Sequence, residues 1–332
     1  MQSKTTNKEF VGYLIISLDF ELHWGRYDKY PIQGVGDYYK NTREAIPRIL
    51  DLFAKYNIHA TWATVGSLMA ENVEEWRAYQ PEILPNYINP AYSAYYWFAN
   101  ESNHPKEALF APDLVQKIIQ AEHQELGSHT YSHFYTGEKG ANQQAFKADL
   151  EAAKKIAKDK FATELKSLVF PRNQYNPSSL ETASKLGIKV FRTNPPDWFW
   201  SSPEKANLLK KVFRTGDTLI PLGSKTYYDL DIKFKRDFLQ LPASRLLRPY
   251  KANSIFNTLR VERIKNEMAE AAKEKMAYHL WWHPHNFGIN PKENLEVLED
   301  ILQYFSNLHQ STGMESLSMW EAYEKNKQPQ SG

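Results

Sequence analysis

The chain has 332 residues, ten His and no Cys, with 41 basic against 39 acidic side chains for a formal charge of +2. That balance offers no electrostatic footprint for nucleic acid, and the lack of Cys excludes disulfide frameworks, thiolate metal sites and thiol nucleophiles together. With 42% hydrophobic residues and only 14 Gly the chain is globular and able to bury a large core.

The segment Met1–Phe10 is polar, and the apolar run Gly12–Leu18 is far shorter than the roughly 20 residues of a membrane span. Neither a signal peptide nor a transmembrane helix is expected, and the expected address is cytoplasmic. Strands are predicted at Tyr13–Leu18, Ala60–Val65, Glu125–Ser128, Ser167–Phe170, Lys189–Arg192, Thr218–Pro221 and Ala277–Trp282. Helices are predicted between them at Thr42–Lys55, Pro112–Glu122, Asn142–Lys158, Ser178–Leu186, Ser254–Glu274 and Lys292–His309, with Ser178 as a cap and Gly187 as a stop. This alternation predicts parallel βαβ units and an α/β fold in one domain, 1–332. Two stretches break the rhythm. Residues 71–111, rich in Tyr, Trp, Pro and Asn, read as a long loop packed by its own aromatics. Residues 225–251 carry Lys233, Lys235, Arg236, Arg245, Arg248 and Lys251 and read as a basic loop, either solvated or able to hold substrate phosphates.

In parallel α/β architectures chemistry gathers at the carboxyl ends of strands. The first strand runs into Asp19-Phe20-Glu21, two carboxylates that can share a site, although either could simply cap a turn. The third leads into His129-Thr130-Tyr131-Ser132-His133, whose spacing of four suits two ligands on one face of a helical turn, and equally suits two ordinary imidazoles. The zincin motif has the same His separation with a Glu between, where this chain has Thr130, so any base must come from elsewhere. Arg172, directly after the fourth strand, is placed to hold a carboxylate or to make a surface ion pair. The last long strand delivers His283, with Trp281 and Trp282 able to bury a sugar face or to fill the core, His285 just beyond and His279 reading as a core residue.

Taken in order, D-x-E at Asp19, A-T-W-x-x-x-G at Ala60–Gly66, H-T-x-x-H at His129, F-P-R-x-x-Y at Phe170 and W-H-P at Trp282 resemble the polysaccharide deacetylase family, carbohydrate esterase family four. The resemblance spans roughly Tyr13 to Trp320, with Asp197-Trp198 and Met314–Trp320 near two further family regions. It implies a distorted (β/α) barrel of about seven parallel strands and one divalent metal, usually zinc, serving hydrolysis of an N-acetyl or N-formyl group on an amino sugar. Carried over by position, Asp19 resembles the base, Arg172 the residue that orients it, His283 the general acid, and His129 and His133 two metal ligands. The family's common form has two adjacent Asp where this chain has Asp19-Phe20-Glu21, and Glu21 is assigned as the third ligand. Trp24, Tyr175, Trp198, Trp282 and His285 are the expected substrate contacts. The expected substrate is a cytoplasmic glycan precursor. Two rivals remain: a barrel glycosidase using Asp19 and Glu21 as its acid pair, and a carbohydrate-binding protein without catalysis.

Overall fold

A computed structural model describes residues 11–195, 226–230 and 237–327. Its first strand, β1 (Tyr13–Phe20), is buried along its whole length, as a near-continuous apolar run covered on both faces must be. β1 pairs in parallel with β2 (Ala60–Thr64) on one edge and β8 (Ala277–Trp282) on the other, while β9 (Glu315–Leu317) occupies the stretch of β1 that β2 leaves open. From β2 the sheet continues in parallel through β3 (Gln124–Ser128), β4 (Ser167–Val169) and β5 (Val190–Thr193).

One segment then joins the two ends of the sheet. Its first part, β6 (Leu239–Pro242), pairs with β5; two residues later β7 (Arg245–Leu246) pairs with β8. The intervening Ala243 and Ser244 donate their N–H groups to Thr193 and His279 in turn, so the chain changes partner without losing its ladder. The outcome is the expected distorted α/β barrel. The sixth predicted strand, Thr218–Pro221, lies outside the described residues; the strand that bridges the barrel runs instead through 239–246, inside the stretch read as a basic loop. Leu239, Leu241 and Leu247 bury there and outweigh the basic composition.

Helices α1 (Gly36–Lys55), α5 (Pro112–Gln120), α6 (Gln143–Phe161), α7 (Pro177–Lys185), α8 (Phe256–Lys273) and α9 (Pro291–Thr312) cover the strands. The cap of α7 is Asn176, in a reciprocal box with Ser179, rather than Ser178: the amide oxygen two positions earlier reaches the orphan N–H of Ser179 at 2.9 Å. Residues 71–111 are not one loop. They fold into α2 (Val73–Ala78), α3 (Ala94–Asn100) and α4 (Lys106–Leu109), which bury Trp76, Tyr95 and Phe98. No helix among the described residues is long and apolar enough to cross a membrane.

Candidate metal centre

Because the strands are parallel, the residues that end or follow β1, β3, β4, β5 and β8 open onto one face. β1 carries Asp19 and hands on Glu21 one residue past its end. His129 follows β3 and donates its Nδ1–H to the Val169 carbonyl, an acceptor only, at 2.8 Å. His133 donates from Nδ1 to the Tyr135 hydroxyl at 3.2 Å, and that hydroxyl donates onward to Asp28 at 3.2 Å. Both imidazoles therefore turn Nε2 inward, at 3.2 and 3.1 Å from the same Glu21 Oε2. The two His are not on a helical turn as their spacing suggested. Left-handed residues Thr130 (φ 64°) and His133 (φ 59°) fold the segment into a bend, held by Asp149 of α6, which accepts from the Tyr131 and Ser132 N–H groups at 2.7 and 3.3 Å.

The three donors fit a divalent cation. A neutral imidazole with its proton on Nδ1 presents a bare lone pair at Nε2, and two such lone pairs face a carboxylate oxygen. At His133 burial opposes protonation and lowers the pKa despite Glu21 beside it. Burial would raise the Glu21 carboxyl, yet the imidazoles of His283, His133 and His129 around it hold it well below its usual range. One donor atom from each of the three residues lies within 4.8 Å of the other two, close enough to share one ion. Room for the carboxylate comes from Gly25, where a Cβ would lie 2.0 Å from the Glu21 carboxyl carbon. His285 Nδ1, buried and without a hydrogen bond, lies 3.7 Å from Glu21 Oε1.

Beside this cluster Arg192 of β5 grips Asp19 in a fork, Nη1 to Oδ1 at 2.6 Å and Nη2 to Oδ2 at 2.8 Å. Burial would raise the Asp19 carboxyl, but Arg192 outweighs it and holds the group ionised below its ordinary value. His283 Nε2 stands 3.7 Å from Asp19 Oδ2 and 3.6 Å from Glu21 Oε1, and its side chain, 26% exposed, is the most open of the group.

The expected orienting residue, Arg172, does not hold Asp19. At φ 56° its side chain is turned to Asp28 and Glu138 and lies over the Tyr135 ring, 3.9 Å from its centroid. It thus anchors the carboxylate that orients Tyr135 and, through it, His133. Arg192 is the residue the sequence reading missed; the available signal was a lone guanidinium inside the apolar strand Val190-Phe191-Arg192. Among the expected substrate contacts, Trp24 and Trp282 are fully buried. Trp24 stacks on Trp76 and Phe98 and donates Nε1–H to Leu109, while Trp282 stacks on Phe287. Burial in the aromatic core therefore removes both from a substrate. His285 packs against Glu21 rather than facing outward. Tyr175 is half-buried, its hydroxyl accepting from the Asn194 N–H at 3.1 Å, and Trp198 lies outside the described residues. His279 is a core residue bonded to the Ser17 hydroxyl at 2.9 Å.

A second trio with adjacent donors is His59, His123 and Glu321; His59 and His123 directly precede β2 and β3, so the trio lies at the opposite ends of the strands. Glu321 there is already engaged by His59 at 2.8 Å and by the Ser318 N–H at 2.8 Å.

A parallel barrel with two His and a carboxylate at its strand ends defines a class of protein able to hold one divalent ion with coordination positions left open. Residues 27–191 match the model of the polysaccharide deacetylase family, and the chain belongs to that family. Among solved structures, a Mycobacterium smegmatis protein assigned to the polysaccharide deacetylases shares the fold over 96% of this chain and 91% of its own, at 12% identity and a TM-score of 0.60. A 4-α-glucanotransferase from Thermococcus litoralis aligns over 97% of this chain and 41% of its own, with 11% identity and a TM-score of 0.53. A GH57-type branching enzyme from Pyrococcus horikoshii aligns over 95% and 71%, with 13% identity and a TM-score of 0.52. At these identities the likeness is one of fold. No curated protein matches the chain.

Proposed function

We propose that the protein is a metal-dependent hydrolase that removes an N-acetyl or N-formyl group from an amino sugar. The observation that carries this reading is the pair of inward-facing Nε2 atoms of His129 and His133 on Glu21, beside an Asp19 held ionised by Arg192. Zinc suits this set of two imidazoles and one carboxylate, and when bound it would polarise the amide carbonyl and acidify water. Asp19, fixed by the guanidinium fork, accepts a proton from the attacking water. Arg192 keeps that carboxylate from rotating and from taking up a proton before the reaction. The hydroxyl adds to the carbonyl carbon, the C–N bond breaks, and His283, the more open group opposite Asp19, delivers a proton to the departing amine.

A glycosidase using Asp19 and Glu21 is less well supported. That chemistry needs one carboxyl kept protonated by a raised pKa, whereas both are held below their ordinary values. The test is release of free amine from N-acyl amino sugars, read beside metal content. Asp19→Asn should keep the metal and slow turnover by about 10²- to 10⁴-fold, as for a lost general base. Glu21→Gln should lose metal and regain part of its activity with excess zinc. New reducing ends without free amine, or full metal occupancy in His129→Ala, would overturn the assignment.

A further inference from the structure

Two arginines near the reaction face, Arg248 and Arg260, are close enough for the charge of one to act on the other. Arg248 follows β7, where the Leu247 N–H donates to Trp281 at 2.9 Å; Arg260 lies in the second turn of α8. Each has its Nε buried without a hydrogen-bond partner. Their neighbours are served differently: Arg245 and Arg263 both pair with Glu267, Arg245 Nε at 3.1 Å and Arg263 at 3.0 Å. No carboxylate among the described residues pairs with Arg248 or Arg260. Burial, and for Arg248 the charge of Arg260, lowers the affinity of these guanidinium groups for their protons. Like charges held side by side repel, and an anion that joins them relieves that repulsion.

Arg248 also lines a cavity with Asn173, Asn194, Ser244, Arg245 and Trp281. Two of these walls touch the group that holds Asp19. The Trp281 ring lies 4.2 Å from the Arg192 guanidinium carbon and edge-on to His283 with centroids 5.5 Å apart, and Asn173 Oδ1 accepts from Arg192 Nη2 at 3.0 Å. The cavity is thus one side chain away from the proposed base.

We propose that Arg248, reinforced by Arg260, binds a phosphate group of the substrate, so that the protein acts on a phosphorylated N-acyl amino sugar rather than on a neutral polymer. The choice of phosphate follows from the donors: two neighbouring guanidinium groups beside amide and hydroxyl groups suit an anion of several oxygens and more than one charge. This inference rests on the hydrolase reading for its substrate, but not for its first test.

That test is binding of inorganic phosphate and pyrophosphate to the full chain by calorimetry at fixed ionic strength. Arg248→Gln and Arg260→Gln should each weaken binding at least about tenfold, as for loss of a charge-assisted hydrogen bond, with Arg248→Lys between. Thermal melting of each variant checks that it folds. Turnover then separates sources of the phosphate: N-acetylglucosamine 1-phosphate, UDP-N-acetylglucosamine and neutral N-acetylglucosamine are compared by amine release. In Arg248→Gln the preference in kcat/KM for the phosphorylated over the neutral sugar should fall about tenfold. Phosphate binding that is absent, or equal in wild type and both Gln variants, overturns the inference. Absence of amine from every sugar while Arg248-dependent phosphate binding persists overturns the hydrolase reading alone.

Discussion

Gly25→Ala tests the metal centre through a residue that donates nothing to it. A Cβ at this position would lie 2.0 Å from Glu21 Cδ and Oε1, against the 3.4 Å of ordinary contact, a shortfall of 1.4 Å. Backbone φ is not the obstacle, since Gly25 is absent from the left-handed set. The carboxylate is the end of a flexible side chain, so it should swing aside and leave the fold intact. A ligand site, however, tolerates only about 0.2 Å in its bond lengths, roughly a seventh of the required movement. Zinc affinity should therefore fall at least about 10²-fold. Because metal binds the folded state, a 10²-fold loss removes about 2.7 kcal/mol of metal-linked stability under saturating metal. The assay is a chelator competition for zinc together with melting curves with and without metal. Apo wild type and apo Gly25→Ala should melt alike, and only wild type should gain stability from zinc. Zinc affinity in Gly25→Ala within about threefold of wild type would refute the placement of Glu21 as a ligand.

Arg192→Lys replaces the fork on Asp19 with a single ammonium. With burial less opposed the Asp19 carboxyl should titrate at higher pH, so the acid limb of kcat/KM moves upward and the maximum falls about 10²-fold; an unmoved acid limb at saturating metal would contradict the pairing. Tyr135→Phe removes the hydroxyl between His133 and Asp28 and should weaken zinc binding about 10- to 100-fold, measured by the same competition, with an unchanged affinity refuting the relay. His279 provides a check on stability. It is buried with a pKa lowered by that burial to about 3, while an unfolded His takes up its proton near pH 6.5. The unfolded state therefore binds the extra proton between those values, and stability falls as pH drops through that window, by up to about 1.4 kcal/mol per pH unit. Urea unfolding of metal-free His279→Gln should show a slope shallower by about that amount between roughly pH 4 and 6. Parallel curves for variant and wild type would show that His279 titrates alike in both states.

Local and periodic features could be read along the chain. The apolar run of β1, both His after β3 and His283 after β8 were legible, because strand patterning depends on neighbours along the chain and parallel strands present their ends on one face. The barrel's expected architecture was legible too, although the bridging strand at 239–246 lay within a stretch rich in basic residues, where Leu239 and Leu241 nonetheless bury. Only the tertiary structure decided which partner each charge has. Arg172 and Arg192 are both guanidinium groups at strand ends, and nothing in their local sequence says that Arg192 takes Asp19 while Arg172 turns to Asp28, 144 residues away. Trp24 and Trp282 were open to the same ambiguity, since an indole next to a catalytic motif looks alike whether it meets a sugar or another ring. Their burial depends on Trp76, Phe98 and Phe287, which reach them only once the chain has folded. Side-chain partners are long-range choices settled by packing and desolvation, and those quantities exist only in three dimensions.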